Sequence, residues 1–310
     1  MKTWVLTFFF ICITAFSKQA CAQNISNEGK EFWAVFPSHD PSIDNVTNLP
    51  SLADITIYIT SKSTSRVTIT CGTDVQTKDI DPNDAVPFTI DRSQAYIPPT
   101  EANATGPHKN RGIHIQVHEG FADVAVYAHI FAGFRSAASL ILPVESLGQR
   151  YMSMNYDQDP GGNSLLTLVA TEDDTRILIN DGGAIREVQF EKAGEVFEYM
   201  AVGNRDLSGV LVEIDPNSPD NCNKRFAAFS GSTSVSIGCK NMQDLSRDPL
   251  FQQLYPTSSW GREYGIAPFV DRRYIVRVLA AEDNTIVKIN GSVAATLNRG
   301  DKHTTLETVA

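Results

Sequence analysis

No apolar run in this 310-residue chain is long enough to cross a bilayer. The longest, Trp4 through Phe16, has 13 residues, where roughly 20 are needed. Helical periodicity is almost absent, so a helical bundle is excluded. Cations are scarce: 26 Lys and Arg stand against 36 Asp and Glu, a formal charge of −10. A surface of that sign repels phosphate backbones, and neither nucleic acid nor anionic membrane is an expected partner. The motifs of cofactor chemistry are also missing, with no Walker loop, dinucleotide fingerprint or Cys-x-x-Cys pair. Ser230-Gly231-Ser232 lacks the glycine frame of a nucleophile elbow. No cofactor and no resident metal is expected.

What the first residues do have is the form of an export signal. Lys2 precedes the apolar run, and Ala20-Cys21-Ala22 places small residues where a signal peptidase cuts. Residues 1–22 are expected to be removed, which deletes Lys2 and Lys18 and no acid and takes the formal charge to −12. Lys18 stands where a lipoprotein signal wants an aliphatic side chain, which argues against a lipid on Cys21. The mature protein is expected to be secreted or held at the cell surface. Of its cysteines, Cys222 and Cys239 flank a strand-like stretch and are expected to form a disulfide, while Cys71 reads as a small buried apolar residue.

The chain repeats itself. Pro143-Val-Glu-Ser-Leu-Gly148-Gln-Arg-Tyr151 returns as Pro256-Thr-Ser-Ser-Trp260-Gly261-Arg-Glu-Tyr264. An acidic turn follows each, Glu172-Asp-Asp-Thr175 and Glu282-Asp-Asn-Thr285. Self-similarity at a fixed period marks a repeat architecture. Runs of four to eight residues rich in Val, Ile, Thr, Tyr and Phe alternate with Gly, Pro, Asn and Asp clusters, so the class is all-β. The predicted strands include 165–169, 176–180, 186–190 and 196–201, then 209–214, 225–230, 250–255 and 262–269. Grouped in fours they make repeated antiparallel units of about fifty residues, the size of a propeller blade. A β-propeller is the expected fold, with tandem β-sandwiches as the alternative. Gly29–Phe36 matches a closing strand, and the count of units stops at five. A ring completed by sequence beyond Ala310 is therefore expected, with 23–310 forming one incomplete domain.

Candidate sites are read against the repeat. Glu172 and Glu282 could serve a glycosidase as paired carboxylates. Yet Asp173, Thr175, Asp283 and Thr285 have the side chains that bond their own turn backbone, so all six are assigned as structural turn residues. Gly148, Tyr151, Trp260, Gly261 and Tyr264 are assigned to the joints between units, with Phe32 and Trp33, as buried aromatic area. Asp157-Gln-Asp159-Pro-Gly161-Gly162-Asn163 begins like a calcium loop, but Leu168 replaces its bidentate Glu. It reads as a solvated connection, as does Asp215-Pro-Asn217. His114 and His118 lie about 13 Å apart along a strand, too far to share an ion, although His129 on the next strand could meet one of them.

Several segments resemble one family. They are Gly29-Lys-Glu-Phe-Trp33, the Ala-x-Glu-Asp-[Asp/Asn]-Thr turns, Val126-Tyr-Ala-His-Ile130 with Leu142-Pro143, and Asp248-Pro-Leu-Phe-Gln-Gln253 before Trp260-Gly261-Arg-Glu-Tyr264. Together they are similar to the N-terminal domain of IgGFc-binding proteins. The resemblance extends over nearly the whole mature chain, in the form found in exported proteins of Bacteroidota. One departure is Arg247, where family members carry a cysteine. The resemblance implies a non-enzymatic adhesion module for an extracellular protein or glycan, and the rival reading is a polysaccharide-active hydrolase.

Overall fold

A computed structural model describes residues 26–40, 53–158, 161–218, 223–237, 247–267 and 274–307. The expected signal segment and both cysteines of the expected disulfide, Cys222 and Cys239, lie outside the described residues. Strands dominate, and the one α-helix among the described residues is α1 (Arg92–Ala95). The body consists of four small antiparallel sheets in a four-blade arrangement. Each has four strands along its path, and the first carries a further edge strand.

The first two sheets are built from β1 (Glu28–Gly29), β2 (Glu31–Ala34), β3 (Asp54–Thr60), β4 (Ser65–Cys71), β5 (Asp74–Ile80), β6 (Ala85–Thr89), β7 (Ile113–Val117) and β8 (Val124–Ala132). Their orders are β1-β8-β3-β6 and β2-β7-β4-β5, with β9 (Arg135–Ile141) along the remaining edge of β8. The next two use β10 (Arg150–Met152), β11 (Ser164–Ala170), β12 (Thr175–Asn180), β13 (Arg186–Phe190), β14 (Val196–Met200), β15 (Leu211–Ile214), β16 (Phe226–Val235) and β17 (Asp248–Gln253). Their orders are β14-β11-β16-β17 and β10-β15-β12-β13. A third, smaller unit pairs β18 (Tyr274–Leu279) with β21 (Lys302–Glu307) and β19 (Thr285–Ile289) with β20 (Ser292–Leu297).

The sequence and structure differ in how the chain runs through the sheets. The strands expected at 165–169, 176–180, 186–190 and 196–201 are β11 to β14, but they are no single meander, because β11 and β14 lie in one sheet and β12 and β13 in the other. Each unit thus threads back and forth between two sheets, and the four sheets stand as the blades of the expected β-propeller. Alternation explains why. In β3, Ile55, Ile57 and Ile59 are buried while Asp54 and Tyr58 are exposed, so a strand has one face to bury and needs a second sheet to cover it. Ile177, Ile179, Val212 and Phe190 of one sheet meet Leu166, Leu168, Phe197 and Phe226 of the other.

One backbone hydrogen bond fixes the equivalence of the units. Asn83 N donates to Ser61 O at 2.7 Å, Gly194 N to Ala170 O at 2.8 Å, and Gly300 N to Ala280 O at 2.9 Å. Ser61, Ala170 and Ala280 therefore correspond. The first unit's turn is one residue shorter than the other two, which is why an ungapped match at 110 residues slips there. Residues 29–36 do not wait for a later partner, since β1 pairs with β8 and β2 with β7. The expectation that they close a ring with sequence beyond Ala310 is corrected: they begin the first unit as Gly148–Met152 begins the second. Nor do residues 262–267 form a strand.

Candidate functional site

The acidic turns are held by their own backbone. Thr175 Oγ1 donates to Glu172 O and Thr285 Oγ1 to Glu282 O, each at 2.7 Å. Asp173 accepts from Ala193 N at 2.9 Å and Asp283 from Arg299 N at 3.0 Å, so each ties its turn to the segment entering the next strand of that sheet. Lys192 reaches Asp173 at 2.6 Å, and this bond, with that from Ala193, holds the carboxyl below its ordinary range. Asp174 and Asn284 both take positive φ, +53° and +57°, which short polar side chains tolerate. Glu172 accepts from Arg225 N at 3.2 Å. Glu282 lines an open groove with Arg150 and Arg225.

The joint motifs interlock across copies. Pro143 and Pro256 each open a short 3-10 turn. A Cβ added to Gly29 would lie 2.4 Å from Pro143 Cβ, and one added to Gly148 would lie 2.5 Å from Pro256 Cβ. Each glycine therefore meets the proline of the next copy, not that of its own. Tyr151 is fully buried, donates to Phe226 O at 2.7 Å and packs edge-on against that ring at 4.8 Å. Tyr264 accepts from Gly261 N at 2.7 Å as Tyr151 accepts from Gly148 N at 2.8 Å, yet it is 69% exposed. Among the described residues no strand covers it as β16 covers Tyr151, so the buried-aromatic expectation fails at Tyr264. Trp260 is only partly buried, and Phe32 and Trp33 are in the core.

Other sequence candidates disperse. His114 bonds Glu31 at 2.8 Å and stacks on Trp33 at 4.3 Å, while His118 bonds Thr68 at 2.8 Å. His129 lies on the other sheet, away from both, because β7 and β8 belong to different sheets. Asp215 caps its own turn by accepting from Asn217 N at 2.9 Å. Among the described residues no group of His, Cys, Asp and Glu is arranged to hold a metal. Asp159 lies outside the described residues.

The surface that stands out is the outer face of the sheet β6-β3-β8-β9. Tyr127, His129 and Phe131 project from β8 at every second residue, a repeat of about 6.8 Å along a strand. Tyr58 is directly opposite Tyr127 on β3. The rings of Tyr58 and His129 have centroids 6.2 Å apart, and those of His129 and Phe131 are 6.4 Å apart. Tyr58, Tyr127 and Phe131 are 36%, 41% and 45% exposed. Thr56 and Thr60 flank Tyr58 on the same face. Sequence reasoning placed these residues on strands but overlooked the face. Its signal was the alternation of aromatics in Val126-Tyr-Ala-His-Ile-Phe131.

The second unit supplies an internal control, because its equivalent face is covered. With Ser61 matched to Ala170, Thr56, Tyr58 and Thr60 correspond to Leu165, Thr167 and Val169, and Tyr127 corresponds to Phe229. Val169, Phe229 and Phe251 pack into the core of the first unit, and Phe251 lies against Phe36 at 6.4 Å between centroids. Glu198 is buried at this junction. It accepts from Ser38 N at 3.0 Å and Thr167 Oγ1 at 3.1 Å, and also from Ser38 Oγ. Burial pushes its carboxyl up to about 7 against those hydrogen bonds. Neighbouring His39 is driven down to about 4 by burial and by Arg92.

The chain matches the IgGFc binding protein family over residues 137–309. That is more than half the chain, and the protein belongs to this family, one of binding modules that are typically extracellular. The match covers less than the resemblance suggested, leaving out most of the first unit. The topology extends the repeat to that unit. No curated protein matches the chain. Among the described residues no helix is long and apolar enough to cross a membrane.

Proposed function

We propose that the protein is a secreted, non-catalytic binding module whose ligand seats on the face formed by Tyr58, Tyr127, His129 and Phe131. The observation that carries this reading is the aromatic face that no described residue covers, whose counterpart in the second unit is buried. Contiguous exposed apolar area on a folded surface marks an interaction site. Membership of a family of binding modules supports the same reading. In it, residues 1–22 are an export signal, residues 23–310 are a module of repeated β units from an exported bacterial protein, and the ligand is extracellular. The module acts at the cell surface or in the medium, in adhesion. IgG Fc, which gives the family its name, is one protein probe.

The competing function is a hydrolase using Glu172 or Glu282. Turn chemistry accounts for both, since each sits in a turn that closes on its own backbone and recurs in successive units. A screen that follows ligand capture and product release together separates the two. Capture lost in Tyr127→Ala, with no product formed, supports the binding module. Turnover abolished by Glu172→Gln sinks it.

A further inference from the structure

We infer that the aromatic face of the first unit takes a neutral glycan chain, an inference that rests on the binding reading above and specifies its ligand. The argument comes from the two equivalent faces. Where this chain docks protein on protein, it uses Leu165, Val169 and Phe229, with Thr167 between them spending its hydroxyl on Glu198, all fully buried. At the same positions the open face substitutes Thr56, Thr60 and Tyr127, which keep comparable bulk and add a hydroxyl. Among the described residues the Tyr58 and Tyr127 hydroxyls, the Thr56 and Thr60 hydroxyls and the His129 ring make no hydrogen bond, so their donors and acceptors are unspent there.

A pyranose ring has the complementary chemistry: an apolar face of C–H groups that lies on an aromatic ring, and a rim of hydroxyls that both donate and accept. Tyrosine offers the same combination of apolar body and polar tip. Rings spaced along β8, with Tyr58 beside them, suit a chain of several sugars better than a single one. Charge selects among glycans. No Lys or Arg projects from the facing rows of β3, β8, β6 and β9, and Asp54 opposite Phe131 is the acid at the rim. A sulfated or uronate chain would find a repelling carboxylate there and no cation beyond Lys78, whose ammonium is already bonded to Pro87 O at the β6 edge, in a protein already at −10. An arginine anchor, common where protein partners dock, is absent from these rows.

The test titrates residues 23–310 calorimetrically with cellohexaose, xylohexaose, mannohexaose and laminarihexaose as neutral probes. Polygalacturonate and hyaluronan serve as anionic probes, and IgG Fc as a protein probe. At least one neutral hexasaccharide is expected to bind, with affinity cut tenfold or more by Tyr127→Ala and a few-fold by Tyr127→Phe. Glu172→Gln is expected to bind as the parent does, and the anionic chains not at all. Circular dichroism melts establish that each variant is folded. Fc binding that is lost in Tyr127→Ala, with no saccharide bound, overturns the glycan assignment and leaves the face as a protein site. A saccharide bound equally by parent and Tyr127→Ala overturns both readings. Preference for an anionic chain, or no binding by any saccharide, overturns the inference.

Discussion

Tyr127 stands in the first unit where Phe229 stands in the second: each is paired across its sheet with the residue three before the carbonyl that accepts from Asn83 or Gly194. One is 41% exposed and the other fully buried. The same scaffold position thus serves as a surface in one unit and as a joint in the next. Phe229→Ala is expected to cost about 3–5 kcal/mol, the range for emptying a buried aromatic site. Tyr127→Ala should cost only about 1 kcal/mol, the scale of a cross-strand pair lost from an open sheet face. Denaturant unfolding of the two variants checks the contrast, and equal costs would contradict the assignment of faces.

Gly148→Ala should destabilise the protein by about 1–3 kcal/mol, since its new methyl would lie 2.5 Å from Pro256 Cβ and force a backbone shift. Gly106→Ala is the control. A methyl there meets nothing within 4 Å, and removing glycine's freedom in the unfolded chain is neutral or mildly stabilising. Thermal melts of the pair give the readout.

Asp173→Ala and Asp283→Ala are each expected to lower the melting temperature modestly, because Ala193 N or Arg299 N exchanges its carboxylate partner for water. Ligand capture should be unaffected in both. An unchanged melting temperature with lost capture would assign these turns to the site.

The buried pair at the junction predicts opposing pH dependences. Glu198 holds its proton up to about 7 rather than its ordinary 4.5, so its contribution to stability falls as pH rises between those values. His39 stays neutral down to about 4 rather than 6.5, so its contribution falls as pH drops through that window. In the parent the two slopes largely cancel between pH 5 and 6.5. His39→Gln leaves Glu198 alone, and stability should then decline by about 3 kcal/mol from pH 4.5 to 7. Glu198→Gln should give the reverse slope between pH 4 and 6.5. Unfolding free energies measured across this range test both signs.

Strand positions were legible in the sequence because alternation is a local property. The runs 176–180 and 186–190 coincide with β12 and β13 to within one residue. Which strands share a sheet was not, since pairing such as Thr167 with Phe229 joins residues far apart in the chain. A hairpin and a crossing between sheets both join two alternating runs by a short connection, so the meander was a natural misreading. The acidic turns were readable because Asp and Thr bond locally. The aromatic face was not, because its status depends on what covers it. Phe229 and Tyr127 present similar patterns, and packing against Phe251 and the first-unit core separates them.

The central claim, that ligand seats on the first-unit face, is tested most directly by hydroxyl-radical footprinting with and without saturating bound ligand. Oxidation of Tyr58, Tyr127 and Phe131 should fall several-fold on binding, while Tyr264, more open than any of them in the free protein, should react as before. Protection confined to Tyr264 and Trp260, with Tyr127 as reactive as in the free protein, would contradict the account.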